Sequence, residues 1–328
     1  MSSATAETTT SATYSDLTLL EIMRTYGTEE AARGFFERLR WPDGPQCPYC
    51  TNADQEKIYK VAANAKAKTR EGLYKCAACK QQFTVTVGTV MHDSHVPLTK
   101  WLLGFYLMAS SKTQMSALQL QRHLELGSYR TAWHLCHRIR YAMAEMGYDV
   151  KMHGEVEVDE TYIGGRKRGK GRGYKGNKVA IVSMVQRGGK VRSKVVPTEA
   201  VTKPGIAKIL KANVSMSASL MTDESGVYMD VGKDYSSHDT VNHAAKEYGR
   251  HDLETGRIAT TNAAEGFFGN SKRALDGTHH HVSKKHLPLY VAELDYKYNQ
   301  RKVSDGERTI RAINRAEGKR LSLKPLIG

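Results

Sequence analysis

The stretch EVEVD at residues 155–159 alternates acidic and apolar side chains with a period of two. Such alternation is typical of a β-strand with one buried face, and it puts the three carboxylates opposite the two valines. A continuous apolar run at 179–185 and a third candidate strand at 190–196 follow. We therefore predict three consecutive antiparallel strands, the first of which ends at Asp159 and leaves its carboxylate available to bind a ligand.

Helical and strand patterns alternate after these strands. The predicted elements are a helix near 203–214, a strand at 219–222, and helices around 239–248 and 262–275. Residues 154–302 are therefore predicted to form an α/β domain, a mixed sheet with helices. Asp223 closes the short strand, and strand ends in open α/β sheets commonly carry functional side chains. Taken singly, Asp159 or Asp223 also fits a turn-forming carboxylate that bonds its own backbone.

The helix that begins near residue 262 supplies a third acidic position. Glu265 and Lys272 are seven residues apart and share a helical face, with Asn262 one turn earlier. Together with Asp159 and Asp223, Glu265 would suit two Mg²⁺ or Mn²⁺ ions, which prefer hard oxygen ligands and can assist an in-line phosphoryl displacement. The alternative is a capping box, in which Asn262 is the N-cap and Glu265 bonds the backbone instead of a metal.

The charge of the chain favours a polyanionic partner. Among 328 residues, 49 Lys and Arg outnumber 34 Asp and Glu, which gives a formal net charge of +15. Basic surfaces gain affinity by releasing counterions from phosphate backbones, although composition alone does not separate nucleic acid from acidic lipid. The sequence has no apolar run of roughly 18 residues and no secretory pattern at its N-terminus, so we expect a cytoplasmic protein without a membrane segment.

Two basic segments are predicted to contact DNA. Loop 166–178 carries seven basic residues and no acidic one, directly after the Asp159 strand. Its predicted phosphate contacts are Arg166, Lys167, Arg168, Lys170, Arg172 and Lys175. Segment 278–286 adds four histidines together with Lys284 and Lys285, and we interpret it as a DNA-facing surface. The alternatives are a solvated hairpin tip and an inert loop.

The cysteines predict a metal site in residues 42–92. Four of the five form two C-x-x-C pairs, Cys47 with Cys50 and Cys76 with Cys79. Each such turn puts two thiolates on one side of an ion, and a hairpin brings the two turns face to face, so we predict one structural Zn²⁺ in a zinc ribbon. Disulfides are the alternative, but they are rare in cytoplasmic chains. Cys136 is interpreted as a small core residue without a functional role.

The segments around the ribbon are predicted to be mainly helical. We expect a disordered tail at 1–15, a short helical segment at 16–41, a helical region at 97–147 and a basic C-terminal extension at 303–328. Region 97–147 should hold three helices, at 97–111, 116–126 and 128–146, with Gly127 as a left-handed cap between the last two. A helix-turn-helix of this kind would place Arg130 and Arg138 along a DNA major groove, whereas many three-helix packings bind nothing.

Several separated motifs, taken together and in this order, resemble the bacterial insertion-sequence transposases of the DDE type with an N-terminal zinc ribbon, the family numbered fifteen ninety-five. The motifs are LRWPDG at 39–44, the two C-x-x-C pairs, VDETYIGG at 158–165, TD at 222–223, the segment 261–272 and HHVSKKH at 280–286. The resemblance spans roughly residues 17–302.

The resemblance implies a ribonuclease-H-like catalytic domain in which Asp159 and Asp223 are metal ligands. It implies a third ligand at the start of the 262–275 helix, either Asn262 or Glu265, with Glu265 preferred for its charge, and Lys272 as a nearby basic partner. The implied activity is two-metal cleavage of double-stranded DNA, after which the freed 3′-hydroxyl attacks target DNA with inversion at phosphorus.

The resemblance also implies how the rest of the molecule is used. The ribbon and the helical region would recognise terminal inverted repeats, and a homodimer or larger assembly on DNA at the nucleoid would handle two ends together. Three other functions remain compatible with the residues: a zinc-dependent DNA-binding regulator derived from a transposase, a structure-selective nuclease of the same fold, and an RNA-binding protein, which would leave the carboxylates unexplained.

Overall fold

The computed structural model describes residues 17–327 apart from 67–68, 146, 148, 165–175, 243–244, 246, 248, 252–255 and 257. The chain divides into two units. The first unit comprises residues up to 143 together with those from 302 onward, and the second comprises residues 144–301. None of the helices in the described ranges is long and apolar enough to cross a membrane.

The first unit begins with two helices, α1 (Leu19–Thr25) and α2 (Glu29–Arg40). The hydroxyls of Thr18 and Thr28 accept hydrogen bonds from backbone N–H groups in the first turns, which satisfies donors that would otherwise lack partners. Helix α2 buries Phe35 and Phe36. The predicted short helical segment is therefore a pair of capped helices.

A three-stranded antiparallel sheet follows, formed by β1 (Ile58–Val61), β2 (Leu73–Cys76) and β3 (Gln82–Phe83). Trp41 packs edge-on against Tyr74 and Phe83, with ring centroids 5.4 and 5.8 Å away. Strand β3 is only two residues long because the chain turns after Phe83. There Val87 N–H donates to the Thr84 carbonyl, a local bond that competes with strand pairing.

The three helices predicted for region 97–147 are confirmed as α3 (Leu98–Ser110), α4 (Ala117–His123) and α5 (Tyr129–Met143). Ser116 caps α4, because its hydroxyl accepts from Gln119 N–H at 3.1 Å. The left-handed residue between α4 and α5 is Glu125, with φ of 47°, and not Gly127. Helix α5 exposes its first residues and is buried from Leu135 to Met143, apart from the half-buried Tyr141.

The second unit contains a five-stranded sheet and four α-helices among its described residues. Its elements are β4 (Glu155–Ile163), β5 (Val179–Gln186), β6 (Val191–Pro197), α6 (Lys203–Asn213), β7 (Ser219–Asp223), α7 (Gly226–Met229), β8 (Ser237–Val241), β9 (Arg250–His251), β10 (Ile258–Ala259), α8 (Asn262–Ala274) and α9 (Leu287–Asn299). The sheet order is β6-β5-β4-β7-β8, and β9 and β10 form a separate antiparallel pair. Strand β5 is antiparallel to β4 and β6, whereas β7 runs parallel to β4 and β8.

Two predictions in this unit are wrong. Strand β4 does not end at Asp159, because pairing with β5 continues to Ile163 opposite Val179 and leaves Asp159 in mid-strand. The segment expected to begin a helix at 239 instead forms β8, which pairs with β7 from Ser237 to Val241. In both places pairing with the adjacent strand of the sheet, whose extent the local pattern does not reveal, decides the conformation.

Apolar clusters cover both faces of the sheet. On one face, Val156 and Val158 pack in a buried cluster with Ile206 and Leu210 of α6. The other cluster combines β5 and β6 with α8 and α9, through Ile181, Val185, Val191, Phe267, Phe268 and Leu294. The β4 carboxylates point away from the two valines and therefore toward the α8 face.

Helix α9 also covers the free edge of β6. Asp295 accepts from Ser193 N–H and Asn299 accepts from Val191 N–H, both at 2.7 Å. These side chains satisfy edge donors that would otherwise be open to pairing with another strand. Burial raises the pKa of Asp295 to about 7, against the lowering effect of its hydrogen bonds from Ser193.

The segment 303–328, predicted as a basic C-terminal extension, belongs to the first unit. It forms α10 (Asp305–Asn314) and α11 (Lys324–Ile327), and α10 packs against α3 because it buries an apolar face that includes Ile310 and Ile313. After α10, Glu317 accepts two hydrogen bonds from the guanidinium of Arg40, at 2.6 and 2.8 Å.

Candidate active site and zinc cluster

Asp159 and Asp223 occupy neighbouring parallel strands. Strands β4 and β7 pair from Glu155 opposite Ser219 to Glu157 opposite Met221. Extended by two residues, this register aligns Asp159 with Asp223, and adjacent strands lie about 4.8 Å apart. Each carboxylate accepts one backbone N–H from its own vicinity, Asp159 from Glu160 at 2.7 Å and Asp223 from Ser225 at 3.1 Å. Asp223, at the end of its strand, thus fits the turn-forming alternative with one oxygen, whereas Asp159 lies in mid-strand.

Asp159 lies in a concentration of negative charge. Burial is the largest cause that raises its pKa to about 7, against the lowering effect of the Glu160 N–H bond. The carboxylates of Glu160, Asp223 and Glu265 raise this pKa further. Electrostatically, the structure therefore brings together the three acidic residues that sequence reasoning selected, and it adds Glu160, which that reasoning missed.

The capping-box alternative for Glu265 is wrong. Helix α8 begins at Asn262 with Thr261 as the N-cap, so Glu265 is the fourth helical residue and not the third. Thr261 makes no side-chain capping bond. The backbone N–H groups of Ala263 and Ala264 donate instead to one oxygen of Glu157, at 2.7 and 3.1 Å. A side chain from β4 therefore caps the helix that carries Glu265.

The other oxygen of Glu157 accepts from Arg187 Nε at 2.8 Å. Arg187 also donates to Glu155 at 2.9 Å and to the Thr260 carbonyl at 3.2 Å. Only 1% of the Glu157 side chain is exposed. Sequence reasoning gave these residues no role, although an acidic side chain on the inward face of a strand needs a partner, and that need is the signal that could have found Glu157.

A second contact that the sequence did not indicate lies beside the acidic group. Tyr228 donates a short hydrogen bond from its hydroxyl to Glu160. Burial, followed by the charge of Glu160, raises the pKa of Tyr228 far above its usual range. Glu160 is thus held by a neutral phenol.

The remaining predicted residues of this unit lie on exposed surface or outside the described residues. Asn262 and Lys272 are exposed on α8, at its first turn and near its last. Lys284 and Lys285 are exposed in the segment that follows the π-helical turn Leu275–His279. The six predicted contacts of the basic loop, Arg166, Lys167, Arg168, Lys170, Arg172 and Lys175, lie outside the described residues.

In the first unit, the two arginines predicted to contact DNA differ. Arg130 is exposed in the first turn of α5. Arg138 is only 6% exposed, and its guanidinium donates to the carbonyls of Leu321 and His92, at 3.1 and 2.7 Å. The interpretation of Arg138 as a DNA contact is wrong, because its donors hold the protein's own backbone.

The four cysteines of the two C-x-x-C pairs form one cluster. Cys47 Sγ lies 3.6 Å from Cys79 Sγ, Cys50 Sγ lies 3.7 Å from Cys76 Sγ, and all four sulfurs lie within 4.8 Å of one another. These separations exceed a disulfide bond of about 2.05 Å, and all five cysteines are free thiols. Cys136 is fully buried in an apolar core, as predicted.

The electrostatics of this cluster suit a cation. Backbone N–H groups of Cys79 and Ala78 lower the pKa of Cys76 to about 6, against the raising effect of burial. For Cys50 a backbone bond from Asn52 lowers the pKa, but burial and the neighbouring thiols raise it to about 12. A bound cation would favour the thiolate form of all four side chains, so the donor set and its geometry support one structural Zn²⁺.

Over the described ranges, the cysteine cluster is the one group of three or more His, Cys, Asp or Glu side chains that meets the 4.8 Å spacing. Asp159, Asp223 and Glu265 are electrostatic neighbours without meeting that spacing. The two candidate sites thus differ in how closely their ligand atoms already converge.

Comparisons with known proteins cover both units. Residues 151–299 match the family model of the ISXO2-like transposase domain, and residues 27–82 match that of the transposase zinc-ribbon domain. The chain is 27% identical over 291 residues to an uncharacterized protein in transposable element ISH50 of Halobacterium salinarum, which covers 82% of this chain and 90% of that protein.

A solved chain from the simian T-cell lymphotropic virus intasome in complex with PP2A regulatory subunit B56 gamma is also similar. It shows 13% identity and a TM-score of 0.26, over 58% of this chain and 66% of that chain, just under two thirds. A TM-score this low carries no argument about the fold.

Proposed function

The chain belongs to the IS1595 family of insertion-sequence transposases, and from that premise we propose that it binds the ends of a mobile element and catalyses DNA cleavage and strand transfer there. The observation that carries the proposal is the grouping of Asp159, Asp223 and Glu265 within the matched transposase domain. The mixed sheet with helices is consistent with a ribonuclease-H-like fold.

The acidic group fits divalent cations of the Mg²⁺ or Mn²⁺ type. Its donors are carboxylate oxygens, the ligands that these ions prefer. Burial, and after it the charges of the neighbouring carboxylates, raises the pKa of Asp159 to about 7, and bound cations would relieve the repulsion between these charges. We propose Asp159 and Asp223 as metal ligands, with Glu265 as the third. Asn262 lies one turn before Glu265 and is the neutral alternative.

The chain's own residues would then hold and orient the reacting DNA. Two divalent ions, when bound, would supply electrostatic stabilisation of the in-line displacement at phosphorus. Asp159 and Asp223 fix their positions from two paired strands, and Glu265 closes the group from α8. Lys272, two turns along the same helix, is exposed and would bind a phosphate of the strand being cut.

We propose double-stranded DNA as the partner. The net charge of +15 supports a phosphate-binding role, and Arg130, Lys284 and Lys285 are exposed for such contacts. The zinc ribbon and the first turn of α5 would bind the terminal repeats, and the basic loop after β4 would grip DNA near the carboxylates. A homodimer or larger assembly would hold two element ends together.

The proposal is tested by a Mg²⁺-dependent cleavage and strand-transfer assay on DNA that flanks the protein's own gene. Wild type is compared with Asp223→Asn and with Asp230→Asn, a matched control whose exposed carboxylate pairs with Lys203 and Lys233. We expect joined strands from wild type and the control, and none from Asp223→Asn. Cut strands without joining would indicate a nuclease, and tight binding without any product would indicate a regulator.

A further inference from the structure

The contact between β4 and the N-terminus of α8 has no place among the proposed metal ligands, yet it joins the elements that carry them. Glu157 lies two residues before Asp159 on the same face of β4, about 7 Å along the strand. Its carboxylate bonds the N–H groups of Ala263 and Ala264, which lie between Asn262 and Glu265. The Glu157 side chain therefore connects the strand that carries Asp159 to the helix that carries Glu265.

Arg187 fixes the other oxygen of Glu157. It follows β5, and its guanidinium contacts three different segments: Glu157 and Glu155 on β4, and the Thr260 carbonyl just before α8. The planar guanidinium with several donors suits such multiple contacts, which a lysine cannot reproduce. The Arg187 backbone N–H adds a bond to the Glu155 carbonyl at 3.0 Å. Strand, hairpin and helix start are thus linked through one ion pair.

We propose that Glu157 and Arg187 are positioning residues for the acidic site: they hold the start of α8 against β4 so that Glu265 and Asn262 keep their place relative to Asp159. This inference rests on the proposed function, since it assigns a purpose within the proposed metal site. We name the Glu157–Arg187–Glu155 contacts the brace.

The position of the brace gives a reason why the cap of α8 comes from β4 and not from the helix itself. Helix N-termini attract negative charge, and any acidic residue of the first turn would satisfy that need. A cap from within the helix would move together with Glu265, whereas a cap from β4 ties the helix to the strand that carries Asp159. Misplacement of a reacting group by about 1 Å can cost on the order of 100-fold in rate, so rigid linkage of the two elements has a direct value.

The experiment uses the full-length protein and compares wild type, Glu157→Gln, Arg187→Lys and Lys203→Gln. Lys203→Gln is a matched control, because it breaks an exposed ion pair between Lys203 at the start of α6 and Asp230, neither of which belongs to the brace. The first readout is binding of Mn²⁺ alone, without DNA, followed by electron paramagnetic resonance. The second is the cleavage assay, with kcat and KM for DNA separated. The thermal midpoint and far-UV circular dichroism establish the folded fraction.

For Glu157→Gln we expect Mn²⁺ binding at least tenfold weaker and kcat on the order of 10- to 100-fold lower, with KM for DNA unchanged. Arg187→Lys should show a smaller loss of the same kind, and Lys203→Gln none. A merely structural role would lower the thermal midpoint but leave the Mn²⁺ affinity of the folded fraction intact.

Wild-type Mn²⁺ affinity and kcat in folded Glu157→Gln would overturn the brace and leave the proposed function standing. If Glu157→Gln does not fold, Arg187→Lys decides by the same criterion. A wild type that neither binds Mn²⁺ nor cuts DNA would overturn the proposed function itself, and the positioning role with it.

Discussion

Metal ligands are brought together in different ways in the cysteine cluster and in the acidic site. Each C-x-x-C turn brings two of the four thiols together within four residues, and pairing of β1 with β2 helps to bring the turns face to face, so the sulfurs lie within 4.8 Å. The carboxylates come from β4, β7 and α8, and the first and last of them lie more than 100 residues apart in the chain. The four thiols of the cysteine cluster come from two short turns and already lie close together. The carboxylates come from separate elements, and their positions depend in addition on contacts such as the brace.

The largest effect is expected from removing one ligand of the cysteine cluster. Cys47→Ser should release zinc and unfold the ribbon, because zinc binding supplies about 10–16 kcal/mol to modules of this kind. Zinc content by atomic absorption should fall from one ion per chain to none, with loss of DNA-end binding. Cys136→Ala is the control and should keep its zinc. Retention of one zinc by folded Cys47→Ser would contradict the ribbon site.

Removing a carboxylate of the acidic site should abolish activity and leave the fold intact. Asp159→Asn keeps its shape but loses the charge that holds a cation, so we expect strand transfer to fall on the order of 1000-fold or more, with DNA-end binding unchanged. The assay is strand transfer in Mg²⁺, with Asp230→Asn as control. Full activity of Asp159→Asn would show that the acidic site has been assigned incorrectly.

The pH dependence of stability sharpens the comparison, because a buried carboxylate of the second unit titrates near neutrality. The pKa of Asp295 in the folded state is raised to about 7, above its value of 3.8 in the unfolded chain, so folding favours the protonated form. Its contribution is therefore fully present below pH 4 and is lost as pH rises through about 7, at most about 4 kcal/mol.

Asp295→Asn should flatten this part of the pH profile, measured by urea unfolding between pH 4 and 8. Glu145 and Lys194 are the other charged groups that act on Asp295, and both are kept in the variant. Parallel profiles for wild type and Asp295→Asn would contradict a raised pKa.

The smallest effects distinguish the two arginines of α5. Arg138→Ala should destabilise the first unit by about 2 kcal/mol, since two buried carbonyls lose a charged donor. Arg130→Ala should change stability by less than about 0.5 kcal/mol and weaken binding to element ends a few-fold. Thermal unfolding and fluorescence anisotropy measure the two quantities. A reversal of the two patterns would restore Arg138 as the DNA contact.

The sequence predicted what neighbouring residues decide. The two C-x-x-C pairs, the α3 to α5 helices and the start of α8 near Asn262 were all recognisable from local spacing and caps. The matched transposase and zinc-ribbon models support the recognition that these motifs allowed.

The features that the sequence did not predict depend on contacts with other elements of the fold. Strand β4 outruns Asp159 because β5 pairs with it to Ile163, and β8 is a strand because β7 lies beside it. Arg138 is buried by contacts that include Leu321, which lies 183 residues away. In the sequence, Glu157 is one of three acidic residues on the same face of β4. Only the structure shows that it contacts α8 and Arg187. Such pairings follow from the register and packing of the whole fold, which local periodicity does not encode.

The first unit is formed by two segments, one before and one after the second unit in the chain, and this order affects how it folds during synthesis. Helix α10 packs against α3, and Glu317 reaches back to Arg40, so the ribbon and its helices lack part of their own core until roughly 160 further residues have left the ribosome. At about 5–20 residues per second that delay is on the order of 10 s. The second unit can therefore fold first, and a message truncated just after residue 301 would yield the acidic site without a finished first unit.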